Sequence, residues 1–244
     1  MKRLYLLFII IYGCSSTLPD ESLSLAEHLQ IGMDYLDEEK YVKAQDEFKV
    51  VLSRGTGTDY GDDAQFFLAE SYFLNDQFIL AIKEYENLTR KMAFSPFFEK
   101  SRFRTCEAYR FESPDYFKDQ TYTEKALERY QEFLDDFPTS EYSQTVTASM
   151  SDLRNKLAMK LYETGILYLK MDEFEPARMS FNRVLDQYYD TDIVEKVHFG
   201  VIQSFVKDNK LEQAKEYWLD KGSKDIVNEA LINEIDQLFA ESEK

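Results

Sequence analysis

From residue 25 onward, apolar side chains return at intervals of three and four, the spacing that lines them along one side of an α-helix. Short polar joints, such as Asp37-Glu38-Glu39-Lys40 and Asp208-Asn209-Lys210, separate runs of this kind. The runs come in pairs, and the pairs repeat. Gly32-Met33-Asp34-Tyr35 followed by Tyr41, Ala44 and Phe48 returns as Ala69-Glu70-Ser71-Tyr72 followed by Phe78, Ala81 and Tyr85, 37 residues on at each matched position. The frame recurs at Gly165, Tyr168, Phe174, Ala177 and Phe181, and then at Phe205, Leu211, Ala214 and Trp218, where 37 residues again separate Ala177 from Ala214. A period near 35 residues marks an array of helical hairpins, each of which buries its apolar face only against its neighbours. The expected fold is therefore all-α, a solenoid of about five hairpins.

Within a unit, the small residue before the aromatic and the Ala of the second helix are expected where two backbones approach closely. The third unit departs from the frame, because the spacing from Tyr109 to Ala126 is 17 where the neighbouring units have nine. An insertion over residues 111–123 accounts for the difference, and Thr121 with Glu124 has the form of a capping box that starts the next helix. Pro138 stops that helix, and Thr139 or Ser140 is placed to cap the one after it. From Thr139 to Lys170 there is no further Pro and no Gly before Gly165, so one long helix is expected, striped by Tyr142, Val146, Met150, Leu153, Leu157 and Leu161. Gly222-Ser223 is expected to break the chain before a last amphipathic helix carrying Ile226, Ala230, Ile235 and Phe239, which caps the solenoid. The unit pattern resembles the tetratricopeptide repeat, slightly lengthened.

The first residues read differently. Lys2-Arg3 precedes an apolar run from Leu4 to Tyr12, which as a helix rises only about 13 Å against a hydrocarbon core of roughly 30 Å. Residues 1–13 are therefore expected to be a secretory signal and not a membrane span. Ile11-Tyr12-Gly13-Cys14 resembles the lipobox of bacterial lipoproteins, in which Cys14 becomes the acylated first residue; a plain signal peptide with an incidental Cys is the alternative. Ser15-Ser16 then looks like the pattern that routes lipoproteins to the outer membrane, and residues 14–24 read as a lipidated tether. The rest divides into an N-terminal half of three repeats over 25–138 and a C-terminal half over 139–244.

Composition narrows the chemistry. The net charge is −17, and −19 once Lys2 and Arg3 are removed with the signal, which excludes sequence-independent binding to nucleic acid. Two Cys exclude a Cys-based zinc site of four ligands, and no metal or cofactor is expected. His28 and His198 fall at helix-packing positions, Cys106 takes a small-residue slot, and Asp135-Asp136 and Glu38-Glu39 lie on polar turns. With no phosphate-cradling Gly loop either, no enzyme is expected.

Together the lipobox, the Asp119-Gln120-Thr121 insertion, the helix ending Phe137-Pro138-Thr139-Ser140 and the later Asp186-Gln187-Tyr188-Tyr189-Asp190-Thr191 resemble the BamD family of outer-membrane assembly lipoproteins. The likeness runs from residue 14 to about 220, and the wording of the insertion is most similar to members from Bacteroidetes-type bacteria. It implies a scaffold anchored in the periplasmic leaflet of the outer membrane, docking the POTRA modules of BamA and handling unfolded barrel proteins. A tetratricopeptide lipoprotein of another envelope or division complex is the alternative. By tetratricopeptide analogy, Met33, Phe66, Phe73, Phe103 and Arg110 would line an apolar groove for the substrate's terminal strand and its carboxylate, or else merely pack between helices. The family's Arg for the BamA contact falls on Ser180 here, which leaves Arg183, within about 60° of the same face, as the candidate and Arg178 as the poorer one. Alternatively, Arg183 is a solvated neighbour of Asp186 or Asp190.

Overall fold

A computed structural model describes residues 23–243. The signal segment 1–13, Cys14 and most of the 14–24 tether lie outside the described residues.

Ten helices pair into five antiparallel hairpins: α1 (Leu25–Asp37) with α2 (Tyr41–Gly55), α3 (Gly61–Leu74) with α4 (Phe78–Lys91), α5 (Phe98–Glu112) with α6 (Thr121–Asp136), α7 (Ser143–Lys170) with α8 (Phe174–Gln187), and α9 (Val194–Lys207) with α10 (Leu211–Tyr217). Each helix packs on the next, and α1 also meets α3, as α7 meets α9. This is the expected all-α, tetratricopeptide-like solenoid. Its recurring Ala slots, at 44, 81, 126, 177 and 214, are fully buried, because the side chain there lies between two backbones. Phe48, Tyr85, Tyr130 and Phe181, one turn further along their second helices, fill the core beside them. Cys106 and both His are buried at packing positions.

The joint within a hairpin is three residues long in four cases and eight in the third, Ser113 to Gln120. The long helix begins at Ser143 and runs 28 residues, with Val146, Leu153 and Leu157 on its buried stripe.

Local signals at the helix ends correct three expectations. Thr121 does not cap α6: it is already the first helical residue and exposed, and its N–H donates to the Asp119 carboxylate at 3.0 Å. The reciprocal capping box occurs instead at Ser24 and Glu27, opening α1. Ser140 does not cap α7; its hydroxyl accepts from the Tyr142 N–H and donates to Glu99, so it fastens the turn ahead of the helix. Gly222-Ser223 does not break the chain. The winding continues from α10 through a π-helical turn (Trp218–Gly222) into α11 (Ser223–Asp225), and the break falls at Ile226 to Asn228. Gly222 lies where a Cβ would stand 2.8 Å from the Trp218 ring, so it serves close packing. The Asn228 side chain caps α12 (Glu229–Ser242), whose buried face is centred on Ile235, whereas Ala230 is exposed.

Candidate binding surfaces

Two buried carboxylates organise the middle of the array. Glu70 of α3 accepts a hydrogen bond from the Tyr85 phenol on α4 and two from Arg104 of α5, both at 2.8 Å. Glu107, one repeat further along, accepts from the Tyr130 phenol on α6 and from Arg110 at 3.2 and 2.7 Å. Both glutamates are buried, and a buried charge persists only when paired and hydrogen-bonded. Burial, followed by the adjacent Glu70 charge, pushes the Tyr85 phenol well above its ordinary range; burial and the bond to Glu107 do the same for Tyr130. Both phenols therefore remain protonated donors.

The guanidinium groups each cover an aromatic ring. Arg104 lies 4.6 Å from the Phe73 ring and Arg110 lies 4.5 Å from that of Phe111. Phe111 stacks on Phe78 at 5.0 Å, and Phe73 meets both edge-on at about 5.5 Å. The result is an aromatic strip at the junction of α3, α4 and α5, with two paired cations along it and Phe111 half exposed.

The expected groove residues are dispersed around this strip. Phe73 and Arg110 belong to it. Phe66 is 1% exposed and stacked on Phe97 at 4.4 Å, so its ring has no free surface to offer a ligand. Phe103 is half-buried against Tyr142, 4.3 Å away, and Met33 packs in the α1–α2 cluster. The expectation that Phe66 lines an open groove is thus corrected: the turn before α5 covers it with Phe97. Arg110 also differs from the lone cation expected, being paired with Glu107. Phe78, Phe111, Glu70 and Glu107 do not stand out as site residues in the sequence, although Glu70 and Glu107 lie 37 residues apart, in register with the repeat.

The insertion is held by its own polar residues. Gln120, buried, donates to the Asp115 and Lys118 carbonyls at 2.8 and 3.1 Å and accepts from the Thr123 hydroxyl. Lys156 and Lys160 of α7 donate to the Ser113 and Lys118 carbonyls, fixing the loop across the long helix. Between them lies an open cleft of about 400 Å3, lined by Tyr116, Phe117, Asn155 and Met159 among others.

At the C-terminal hairpins the cations separate by role. Arg178 donates to Asp208 at 2.9 Å and covers the Phe205 ring at 4.6 Å, which ties α8 to α9. Asp190 is taken by Arg154 of α7, with contacts at 2.5 to 3.1 Å, and Asn155 accepts from the Asp192 N–H, so the Asp186–Thr191 segment anchors the turn before α9. Arg183 is exposed and makes no ion pair among the described residues, while Ser180 is 9% exposed. Among the described residues no three His, Cys, Asp or Glu converge on a metal position, and burial pushes the Cys106 thiol up to about 12, far from a thiolate at neutral pH.

A family model described as "Outer membrane lipoprotein" (YfiO) matches residues 23–218. The chain is 22% identical over 219 residues to the outer membrane protein assembly factor BamD of Rickettsia prowazekii, covering 89% of this chain and 87% of that protein. It is 21% identical over 184 residues to the BamD of Caulobacter vibrioides, covering 75% and 60% respectively. Among solved structures it is similar to a tetratricopeptide repeat protein from Parabacteroides merdae, at 14% identity and a TM-score of 0.39 over 88% of this chain and 72% of that one. A tetratricopeptide protein of Thermus thermophilus is also similar, at 14% identity and a TM-score of 0.37 over 90% and 98%. With four-fifths of its length matched by the family model, the chain belongs to the YfiO, or BamD, family of outer membrane lipoproteins.

Proposed function

We propose that this protein is a non-enzymatic scaffold of outer-membrane protein assembly, anchored through Cys14 in the periplasmic leaflet of the outer membrane. It docks the POTRA modules of BamA through its C-terminal hairpins and handles unfolded barrel proteins along the aromatic strip of α3 to α5. The observation that carries this reading is the family match over residues 23–218, shared with relatives named as assembly factors.

The geometry supports a division of labour. Arg183 keeps its five donors available on an exposed face of α8, which suits an acidic partner; Arg178 and Arg154 are consumed internally. The strip presents the half-exposed Phe111 ring above half-buried Phe78 and buried Phe73, which suits the apolar side chains of an extended strand; Arg110 beside it is paired with Glu107 and would exchange that partner to receive the strand's terminal carboxylate.

An affinity-tag pull-down from envelope extracts tests the reading. BamA is expected among the captured proteins, and Arg183→Glu is expected to lower its recovery by tenfold or more, on the order of 1.5 to 3 kcal/mol for a lost charge-assisted contact. Arg178→Glu would disturb the α8–α9 packing and is the control for a structural effect, read by melting temperature. Absence of BamA from the wild-type capture would assign the protein to a different envelope complex.

A further inference from the structure

The described chain starts beside a particular end of the array. Arg54, near the end of α2, donates to the Leu23 carbonyl at 3.1 Å, and Leu25 packs where a Cβ on Gly55 would stand 2.3 Å away. The α2–α3 turn that follows shares a shallow cavity of about 450 Å3 with the α4–α5 turn, lined by Thr56, Asp59, Asp62, Lys91 and Phe94 among others. Ser95 donates to Asp62 at 2.9 Å and fastens the two turns together. The described chain therefore begins at the end of the array that carries the α2–α3 and α4–α5 turns.

That turn differs from the others at this end. From Leu88 to Phe98 the chain carries Arg90 and Lys91 and no Asp or Glu, in a protein with 46 acids. The α2–α3 turn has Asp59, the α6–α7 turn has Glu141, and the α8–α9 turn has Asp190 and Asp192. At its tip Phe94 is exposed along its whole side chain, 103% of the reference area, the largest value of any apolar residue described. A fully hydrated Phe is costly in water and favourable at a bilayer interface, where aromatic rings sit at the headgroup level and cations meet anionic phosphates; the acids that line the same cavity, Asp59 and Asp62, belong to its α2–α3 side, and Asp62 accepts from Ser95. The nine links between Cys14 and Leu23 span at most about 30 Å, so an acylated Cys14 keeps this end of the array within reach of the surface.

We propose that the α4–α5 turn is a membrane-contacting edge, at which Phe94 enters the phospholipid interface with Arg90 and Lys91 towards the headgroups and sets the orientation of the array on the bilayer. The inference rests on Cys14 as the anchor; its own content is which edge of the array faces the lipid. A lipid chain alone tethers without orienting, whereas a second contact at the side of the first hairpin's exit holds the array in one pose.

Depth-dependent quenching tests it. Trp218 is the sole tryptophan, so the double variant Trp218→Phe with Phe94→Trp carries a single indole reporter at the turn. Trp218→Phe with Val42→Trp places the reporter at the far end of α2 instead, about 20 Å from Gly55. The acylated proteins are reconstituted on vesicles of phosphatidylethanolamine and phosphatidylglycerol, with or without brominated acyl chains, and recovered by flotation. Bromolipid is expected to quench the reporter at position 94 several-fold more than the one at position 42, with a blue shift of emission at position 94 alone. Equal quenching at the two positions in protein that floats overturns the orientation and leaves the anchor standing; failure to float overturns both.

Discussion

Gly165 on α7 and Gly200 on α9 face one ring, that of Phe181 on α8. A Cβ at these positions would stand 2.4 and 2.7 Å from ring carbons that are fully buried and have nowhere to retreat. Gly32 and Phe48 repeat the arrangement in the first hairpin at 2.6 Å. Two effects compete in Gly165→Ala. Alanine is the better helix former by about 1 kcal/mol, whereas overpacking a closed core costs about 1–3 kcal/mol. Because the obstacle is an aromatic ring pinned between helices, the second effect is expected to win, lowering stability by roughly 1–2 kcal/mol. Urea unfolding would show it as a lower midpoint. Gly57→Ala is the informative comparison, since a Cβ there meets nothing within 4 Å, and its midpoint should be unchanged or slightly raised.

At the scale of the element, four of the five hairpin joints share one construction. Glu39, Asp76, Asp172 and Asn209 each adopt a left-handed conformation, with φ between 55° and 58°, and the next residue's N–H bonds back to the carbonyl of Tyr35, Tyr72, Tyr168 or Phe205 at 2.8 to 2.9 Å. This is a Schellman closure without glycine, and it explains why an aromatic recurs at a fixed place: that residue supplies the accepting carbonyl and packs beside the turn. Tyr109 has no such partner, because the insertion replaces the closure with the Gln120-centred loop. Left-handed backbone costs a side-chain-bearing residue about 1–2 kcal/mol, and glycine's extra chain entropy costs about 0.5–1 kcal/mol. Glu39→Gly is therefore expected to stabilise by about 0.5–1 kcal/mol, and Asn209→Gly by less, since Asn tolerates this region; a raised urea midpoint at constant slope is the check. The joints also show what the sequence makes legible. Periodicity and the 37-residue frame set the number, pairing and phase of the helices, because both follow from which side chains face the neighbouring backbone. Capping depends on single hydrogen bonds whose partners several segments could supply, so pattern alone does not rank Thr121 against Ser24. Phe66 escapes the pattern for a related reason: the tyrosine register gives the phase of α3, but the ring that covers Phe66 comes from Phe97, in a turn outside the repeat.

Over the whole molecule, the proposed surfaces lie on different hairpins. The aromatic strip is built from α3, α4 and α5, and Arg183 stands on α8, with α6 and the 28-residue α7 between them in the chain. The insertion is bonded to α7 through Lys156 and Lys160, and α7 to the α8–α9 turn through Arg154, so side-chain hydrogen bonds run along that stretch. Sites that share no side chain act independently unless a two-state element couples them, and substitutions at them are additive. Occupancy of the strip should therefore survive loss of the BamA contact. With p-benzoylphenylalanine in place of Phe111, irradiation is expected to yield an adduct with a peptide carrying the C-terminal strand of a barrel protein, and adding Arg183→Glu should leave the yield within twofold. The same photoprobe at Val227, which is more exposed than Phe111 and lies between α11 and α12 at the C-terminal end of the array, sets the background. An adduct at position 111 no stronger than at 227 would remove the strip as the substrate surface, and an adduct abolished by Arg183→Glu would show that partner and substrate are bound as a coupled pair.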